Sequence, residues 1–335
     1  MKSLRDVLDD FTEYLIHDQS LSENTATQYA YEIGRFIDRV AWKKMDALPV
    51  LNGGVIAFGA PNFLSKIDAL FLKQIDIIDI MEWRRYMDER KHVPATIVRK
   101  FSALKKFFDF LDIEDMSLEN LRNETEKRFR MPRVTPPQIM PLTAEVAETV
   151  LDKPDLRKSM GRRDYAILML LFVESLRVSE VRNLDIEDIG EKYGNRVLSV
   201  KGKGRGGQKE EVRLREDVYD ALRDCIRKRN QGNQAIFQAS DTGNRLSVRA
   251  IQKLVAKYGK EAGVKLRPQL TRITSITTTA LQGIKDGMGE AALVKDIQLH
   301  ARHRNPSTTF RYIKDAREAS ESSAVMHCPI KSGRR

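Results

Sequence analysis

Apolar residues near the start of the chain recur at intervals of three and four: Leu4, Val7, Leu8, Phe11, Tyr14 and Leu15, then Tyr29, Ile33, Phe36 and Ile37. That period predicts two amphipathic helices within residues 3–40. Between them Leu21-Ser22-Glu23-Asn24-Thr25 is a turn with N-cap chemistry. Gly53, Gly54 and Gly59, with Pro49 and Pro61, break any period across 41–65, which reads as a loop or insertion. Ile75 to Tyr86 is a helix candidate that ends in the basic-aromatic cluster Trp83-Arg84-Arg85-Tyr86. Pro94-Ala95-Thr96 then opens a strongly periodic helix, with Ile97, Phe101, Leu104, Phe107, Phe108 and Leu111 inward. Its other face carries Arg99, Lys100, Lys105 and Lys106. Cations gathered on one side suit phosphate contacts, and an ordinary solvated face accounts for the same pattern.

The character changes between Glu119 and Leu142, where charge is dense and Pro132, Pro136, Pro137 and Pro141 fall close together. Prolines at that density predict an extended, basic linker over 121–140. Its Lys127, Arg128, Arg130 and Arg133 are placed to follow a nucleic-acid backbone. The chain then divides into a helical domain over 1–120, the linker, a second domain over 141–320 and a polar tail over 321–335. In the second domain Thr143-Ala144-Glu145 starts a helix, and Tyr165 to Val173 reads as a buried one. Val178, Val181 and Leu184 face inward at helical spacing, with Arg177 at the helix start. Leu184 to Ile189 alternates as a short strand does. Arg196 to Lys201 and Lys209 to Leu214 are further strands, joined by a glycine-rich turn with Lys203 and Arg205 near its tip. Helices follow over Val218 to Arg229 and Ser247 to Ala262. Ile273 to Gln282 is rich in β-branched residues, and propensity does not decide between helix and strand. Gly283, Gly287 and Gly289 predict a loop before a helix over Ala291 to Leu299. The expected fold is mostly α, with a small antiparallel sheet in the C-terminal domain.

Composition narrows the partners. The 335 residues hold 58 Lys+Arg against 47 Asp+Glu, a formal charge of +11. That excess points to a polyanion, either nucleic acid or an anionic membrane surface. The longest apolar run is too short to span a bilayer, and the N-terminus lacks the apolar core of a signal peptide. Cys225 and Cys328 make no disulfide framework and lie in no metal-ligand spacing. A soluble cytoplasmic protein is expected, with no metal and no membrane partner.

The chemistry concentrates between Leu299 and Tyr312, where His300, His303, Arg302, Arg304, Arg311 and Tyr312 fall within fourteen residues. Asn305 and Pro306 read as the N-cap and first position of a helix that stacks Thr309 and Tyr312 on one face. A lone tyrosine there is ordinary packing; one beside His and Arg is a candidate nucleophile at an anionic substrate. Upstream, Gly202-Lys203-Gly204 is no Walker loop, because no helix follows it. No spacing rule joins Arg177, Lys203, Arg272, His303 and Tyr312.

Their local contexts, in this order, resemble the tyrosine recombinase (phage-integrase) family. Leu176-Arg177-Val178-Ser179-Glu180-Val181 is similar to the family's first arginine box, and Gly202-Lys203-Gly204 to its catalytic-lysine turn. Gln269-Leu270-Thr271-Arg272 occupies the box usually written His-x-x-Arg. His303 precedes Tyr312 by nine residues, with Ser307-Thr308-Thr309 between, as in the terminal box. Leu21-Ser22-Glu23-Asn24-Thr25 and Phe101 to Phe108 resemble the family's core-binding domain. Three features depart from the pattern: Gln269 stands in place of the histidine, the segment from Arg272 to His303 is longer, and 41–65 is inserted.

The resemblance implies a two-domain DNA clamp and a site-specific recombinase. Tyr312 is then the nucleophile, forming a 3′-phosphotyrosyl link and freeing a 5′-hydroxyl. Arg177 and Arg272 clamp the non-bridging oxygens with planar forks, and Lys203 is the general acid, with Lys201 its competitor. His303 and Gln269 hydrogen-bond the phosphate, or His303 helps deprotonate the tyrosine, and Glu180 orients a neighbouring cation. Because the link conserves bond energy, no cofactor is called for. The implied partners are duplex DNA bearing specific sites and three further copies in a homo-tetramer, with an accessory protein left open. Two other readings use the same residues: a type IB topoisomerase or telomere resolvase, and a DNA-binding accessory protein without catalysis.

Overall fold

The computed structural model describes residues 2–44, 50–51, 54–55, 63–134, 140–202, 208–227, 233–303 and 305–321. The chain divides into two compact units, Met1–Pro137 and Gln138–Arg335.

In the first unit α1 (Leu4–His17) is started by a reciprocal cap in which Ser3 and Asp6 satisfy each other's backbone amides. Helix α2 (Glu23–Lys44) runs further than the apolar period suggests, burying Val40 and Ala41 beyond Ile37. A two-residue ribbon, β1 (Val50–Leu51) with β2 (Gly54–Val55), follows. The predicted insertion at 41–65 is thus core at both ends: Ala41 is buried, and so is Phe63. Most of its middle, including Pro49, Gly53, Gly59 and Pro61, lies outside the described residues. Two short 3-10 turns, Leu64–Lys66 and Ala69–Gln74, lead to α3 (Ile77–Glu89), capped by Asp76 and Asp79. Helix α4 (Pro94–Ile113) buries the six predicted apolar positions. Its Phe101 packs on Trp83 of α3, and Trp83 on Phe36 of α2, joining three helices through aromatic rings. Here the linker expectation fails in part, because Glu119–Arg128 forms a further helix, α5. Those residues precede the prolines, and good helix formers there need only the partial cover of Thr125 against the unit.

The second unit contains α6 (Ala144–Leu151), whose Thr143 cap accepts the Val146 amide, and α7 (Ser159–Phe172), whose residues 166–172 are all buried. Then come α8 (Val178–Arg182) and a three-stranded antiparallel sheet of β3 (Ile189–Lys192), β4 (Asn195–Lys201) and β5 (Lys209–Arg213), in that order. The strand expected at 184–189 starts only at its last residue, because Ile186–Asp188 winds into a 3-10 turn. There the Asp185 amide donates to Asp188 Oδ2, a local side-chain bond that competes with the ladder.

Helices α9 (Glu216–Ile226) and α10 (Val248–Glu261) precede α11 (Pro268–Lys285), the segment that propensity leaves undecided. It is helical because it is central: residues 271–277 are all buried, and burial outweighs a few tenths of a kcal/mol of propensity per residue. Thr271 and Thr279 return their hydroxyls to the carbonyls of Pro268 and Ser275. Gly283 belongs to α11 and not to a loop; close packing asks for glycine there, because a β-carbon would come within 2.5 Å of Leu293 on α12 (Glu290–Ala301). The turn itself forms at Gly287, with φ +70°. The last helix is α13 (Pro306–Glu321). Its inner face, with Ile313 and Ala316, shares a small core with Ile276 and Ala280 of α11 and with Leu293 and Ile297 of α12.

Candidate active site

Where the buried α7 ends, the chain turns through Glu174 and Ser175, the latter fully buried in a left-handed conformation at φ +54°. Arg177 then caps α8. Glu180, one turn on, reaches back: its Oε2 accepts the Arg177 amide at 2.8 Å and its Oε1 accepts Arg177 Nη1 at 2.7 Å. The Glu180 side chain is 2% exposed and that of Arg177 34%, so a buried carboxylate holds a partly exposed guanidinium by one of its nitrogens.

Arg272 lies on the buried face of α11. Its two terminal nitrogens donate to the carbonyls of Ser175 and Ala301, which hold the guanidinium between the α7–α8 turn and the end of α12. Burial first, then the fields of Arg177 and Arg302, bring its pKa down to about 9. Gln269, one turn earlier on the same helix, is exposed.

The third wall is the end of α12 and the start of α13. Arg302 closes α12 in the left-handed region at φ 52°, and the His303 amide returns to the Gln298 carbonyl at 3.1 Å. Asn305 caps α13 by accepting the Ser307 amide at 3.0 Å. His303 Nδ1 lies 3.0 Å from the hydroxyl of buried Thr309, and its ring stacks on Tyr312 at 5.6 Å and 19°. Burial pushes the Tyr312 phenol above its usual range, against the pull of Arg272 and Arg311. Burial and then Arg272, Arg177 and Arg302 hold His303 down to about 4, so the imidazole is neutral near pH 7. His300, the other imidazole of the stretch, is spent on structure: its Nε2 lies 3.0 Å from Ser275 Oγ, and burial lowers it to about 4.

Arg177, Glu180, Arg272, His303 and Tyr312 are therefore gathered at one place from the start of α8, from α11, and from the α12–α13 turn with the α13 helix it opens. Lys203 lies outside the described residues; its hairpin is described through Gly202 and again from Gln208, with Lys201 paired opposite Lys209. Sequence reasoning missed Arg302, which is buried and donates to Glu180 Oε2 at 3.1 Å. It also missed the Ser175 carbonyl, which takes hydrogen bonds from both Arg272 and Arg302. Arg302 stood within the stretch that drew attention, but a buried arginine has no mark in a sequence that sets it apart from a surface one.

The cations assigned to DNA divide into two sets. Lys100 and Arg99 both pair with Glu32, a carboxylate 6% exposed on α2. Lys106 donates to Gln19 Oε1 at 2.6 Å. These side chains tie α4 to the rest of the first unit, which departs from the free cationic face expected of them. Lys105 pairs loosely with Glu126 at 3.4 Å with both ends exposed, and Lys127, Arg128 and Arg130 are exposed. Among the described residues no group of three His, Cys, Asp or Glu is placed to hold a metal ion, and no helix is long and apolar enough to cross a membrane.

Comparison with known proteins gives a consistent set of likenesses. The model of the phage integrase family matches residues 141–319. A tyrosine recombinase of Synechococcus elongatus is 30% identical over 258 residues, covering 74% of this chain and 75% of that protein. Tyrosine recombinase XerA of Pyrococcus furiosus is 27% identical over 329 residues, 95% of each. Among solved structures, a lambda integrase dimer bound to a COC′ core site superposes with a TM-score of 0.60 at 18% identity, over 98% of this chain and 100% of that one. XerH recombinase in a post-cleavage complex with palindromic difH gives 0.58 at 19%, over 96% of both chains. At such identities these two share its fold.

Proposed function

This chain belongs to the phage integrase family, and we propose from that premise that its half-buried arginine–tyrosine cluster breaks and rejoins DNA strands. The protein is a site-specific DNA recombinase, a strand-transferring enzyme of the tyrosine type. In the proposed assignment Tyr312 Oη attacks the scissile phosphorus, a 3′-phosphotyrosyl bond forms, and the bond to the 5′-oxygen breaks. Attack by the freed 5′-hydroxyl of a partner strand reverses the step and passes through a Holliday junction.

The observation that carries this assignment is the convergence of Arg177, Arg272, His303 and Tyr312 from three separate parts of the second unit. Two guanidiniums fixed before the substrate arrives can stabilise a phosphorane without reorganising. The phenol is held protonated, so its proton must leave during attack. The stacked His303 presents its nitrogens in its own ring plane and not at the phenol ring. That arrangement favours a hydrogen bond to phosphate over direct deprotonation of Tyr312. Gln269 supplies an amide donor where the family has an imidazole, and so contributes no proton transfer. Lys203 remains the proposed acid for the leaving oxygen.

The proposed partners are duplex DNA and further copies of the chain. DNA-bound relatives of the same fold support the first, and the exposed Lys105, Lys127, Arg128 and Arg130 are cations available to the backbone. A clamp of both units on the duplex, a homo-tetramer and action in the cytoplasm complete the reading. An accessory protein without catalysis is not favoured, because the relatives are recombinases and the cluster retains both arginines and the tyrosine.

The test is covalent trapping. A nicked suicide duplex, recovered by selection on the wild-type chain from a randomised library, should yield a protein–DNA adduct with the wild type. Tyr312→Phe should bind it and yield none. An adduct surviving in the phenylalanine variant overturns the nucleophile assignment.

A further inference from the structure

Resting on that reading of the site, we propose that Arg302 is a positioning residue for strand cleavage: it takes up the charge of Glu180, so that Arg177 can give its own to the phosphate. The geometry divides the Glu180 carboxylate between two guanidiniums. Oε1 faces Arg177 Nη1 at 2.7 Å, and Oε2 faces Arg302 Nη2 at 3.1 Å while also accepting the Arg177 amide. The Arg302 side chain is 4% exposed and cannot itself reach out to a solvent-borne backbone. It is fixed from the far side by the carbonyls of Glu174, Ser175 and His300 at 3.0–3.2 Å.

The charges decide what this arrangement does. Arg177, Arg272 and Arg302 against Glu180 leave two surplus positive charges, which match the two negative charges of a phosphorane. Without Arg302 the surplus falls to one, and the remaining carboxylate lies directly against Arg177. The field on the phosphate then weakens, and the full charge of Glu180 falls on the Arg177 guanidinium it already holds at 2.7 Å.

A purely structural explanation, that residue 302 only ends α12, is opposed by its backbone. The residue sits at φ 52°, ψ 47°, the left-handed region that glycine adopts without steric cost and arginine does not. Capping alone calls for glycine at this position. A side chain kept there despite the conformation, and buried against a carboxylate in the site, has work beyond the cap.

Arg302→Gly separates the two explanations, because it improves the cap and removes the charge. On the selected suicide duplex it should bind as the wild type does and form adduct more slowly, by a factor on the order of a hundred. Adding Glu180→Gln removes the unbalanced carboxylate and should recover part of that loss, which no role in packing alone would produce. Wild-type cleavage by Arg302→Gly, or no recovery in the double variant, overturns the proposal. Where the glycine variant binds poorly, Arg302→Lys and Arg302→Met decide: lysine keeps a charge at Glu180 and should cleave faster than methionine, and equal rates overturn it. Absence of any adduct with the wild type would count against the recombinase assignment instead.

Discussion

Lys100→Met distinguishes a structural cation from a DNA-binding one. Lys100 sits on a helix face that the sequence offers to phosphate, yet its ammonium is on Glu32, with the two side chains 13% and 8% exposed. Removing one partner of a fully buried ion pair costs about 3–5 kcal/mol, most of it from the charge left behind. Here Glu32 keeps Arg99 at 2.9 Å, but that arginine is 41% exposed and screened by water. A loss of about 2 kcal/mol is therefore expected. Both tryptophans, Trp42 and Trp83, lie in the first unit, so their fluorescence reports its unfolding within the full-length chain. With a urea dependence of about 2 kcal/mol per molar, the midpoint should fall by roughly 1 M. Each phosphate neutralised adds about 0.9 to the slope of log affinity against log salt, and that slope should not change. Lys105→Met, an exposed neighbour on the same helix, should behave the opposite way. An unmoved urea midpoint together with a salt slope reduced by about one would refute the structural role of Lys100.

Arg177→Lys and Arg272→Lys should keep DNA affinity and lose single-turnover cleavage by about 10²–10³-fold, because an ammonium cannot reproduce the planar fork; equal loss of both properties would assign these residues to binding. Lys203→Ala should be rescued in part by a substrate with a 5′-bridging sulfur, a leaving group that needs no protonation, and a lack of rescue would move the acid elsewhere, first to Lys201. His300 sits at about 4, below the ordinary 6.5. Above pH 6.5 both folded and unfolded states leave it neutral; as pH falls toward 4 the unfolded state takes a proton that the folded state refuses, and stability drops. His300→Gln should flatten this decline by up to about 3 kcal/mol between those limits, followed by far-ultraviolet circular dichroism on denaturant titrations, and identical pH profiles would exclude the imidazole as the cause.

Helices α1 to α4 of the first unit were legible because each shows one apolar face to a single core, and the period of that face survives in the residue order. Segment 268–285 was not legible for the complementary reason: it is surrounded on most sides, so its pattern carries no face, and Thr271 and Thr279 satisfy their hydroxyls within the helix. Helix α5 was hidden by the prolines that follow it. In the site, the residues proposed to meet the substrate stand in boxes whose order could be recognised, while those that hold them do not. Arg302 to Glu180 spans 122 positions and Arg272 to the Ser175 carbonyl 97, pairings that only tertiary structure creates. The same limit explains Lys100, since a helix face that looks free in sequence has another helix laid across it.

Two of the left-handed non-glycine residues border this one site: Ser175 and Arg302, at φ 54° and 52°. Each such residue costs about 1–2 kcal/mol against an ordinary conformation. The first supplies the Ser175 carbonyl to Arg272, and the second follows directly on the Ala301 carbonyl that takes its other terminal nitrogen. Nearby, the Ser175 hydroxyl and Arg302 Nε are buried with no hydrogen bond among the described residues. Strain, unpaired polar atoms and two buried guanidiniums against the single buried carboxylate of Glu180 all destabilise the second unit in the absence of a ligand, and all lie at or beside Arg272. Relaxing either turn would let that guanidinium rotate, and the orientation of its fork would then have to be restored during the reaction. The cost is thus borne in the resting fold and not at the transition state, which is where preorganised charge acts on the rate.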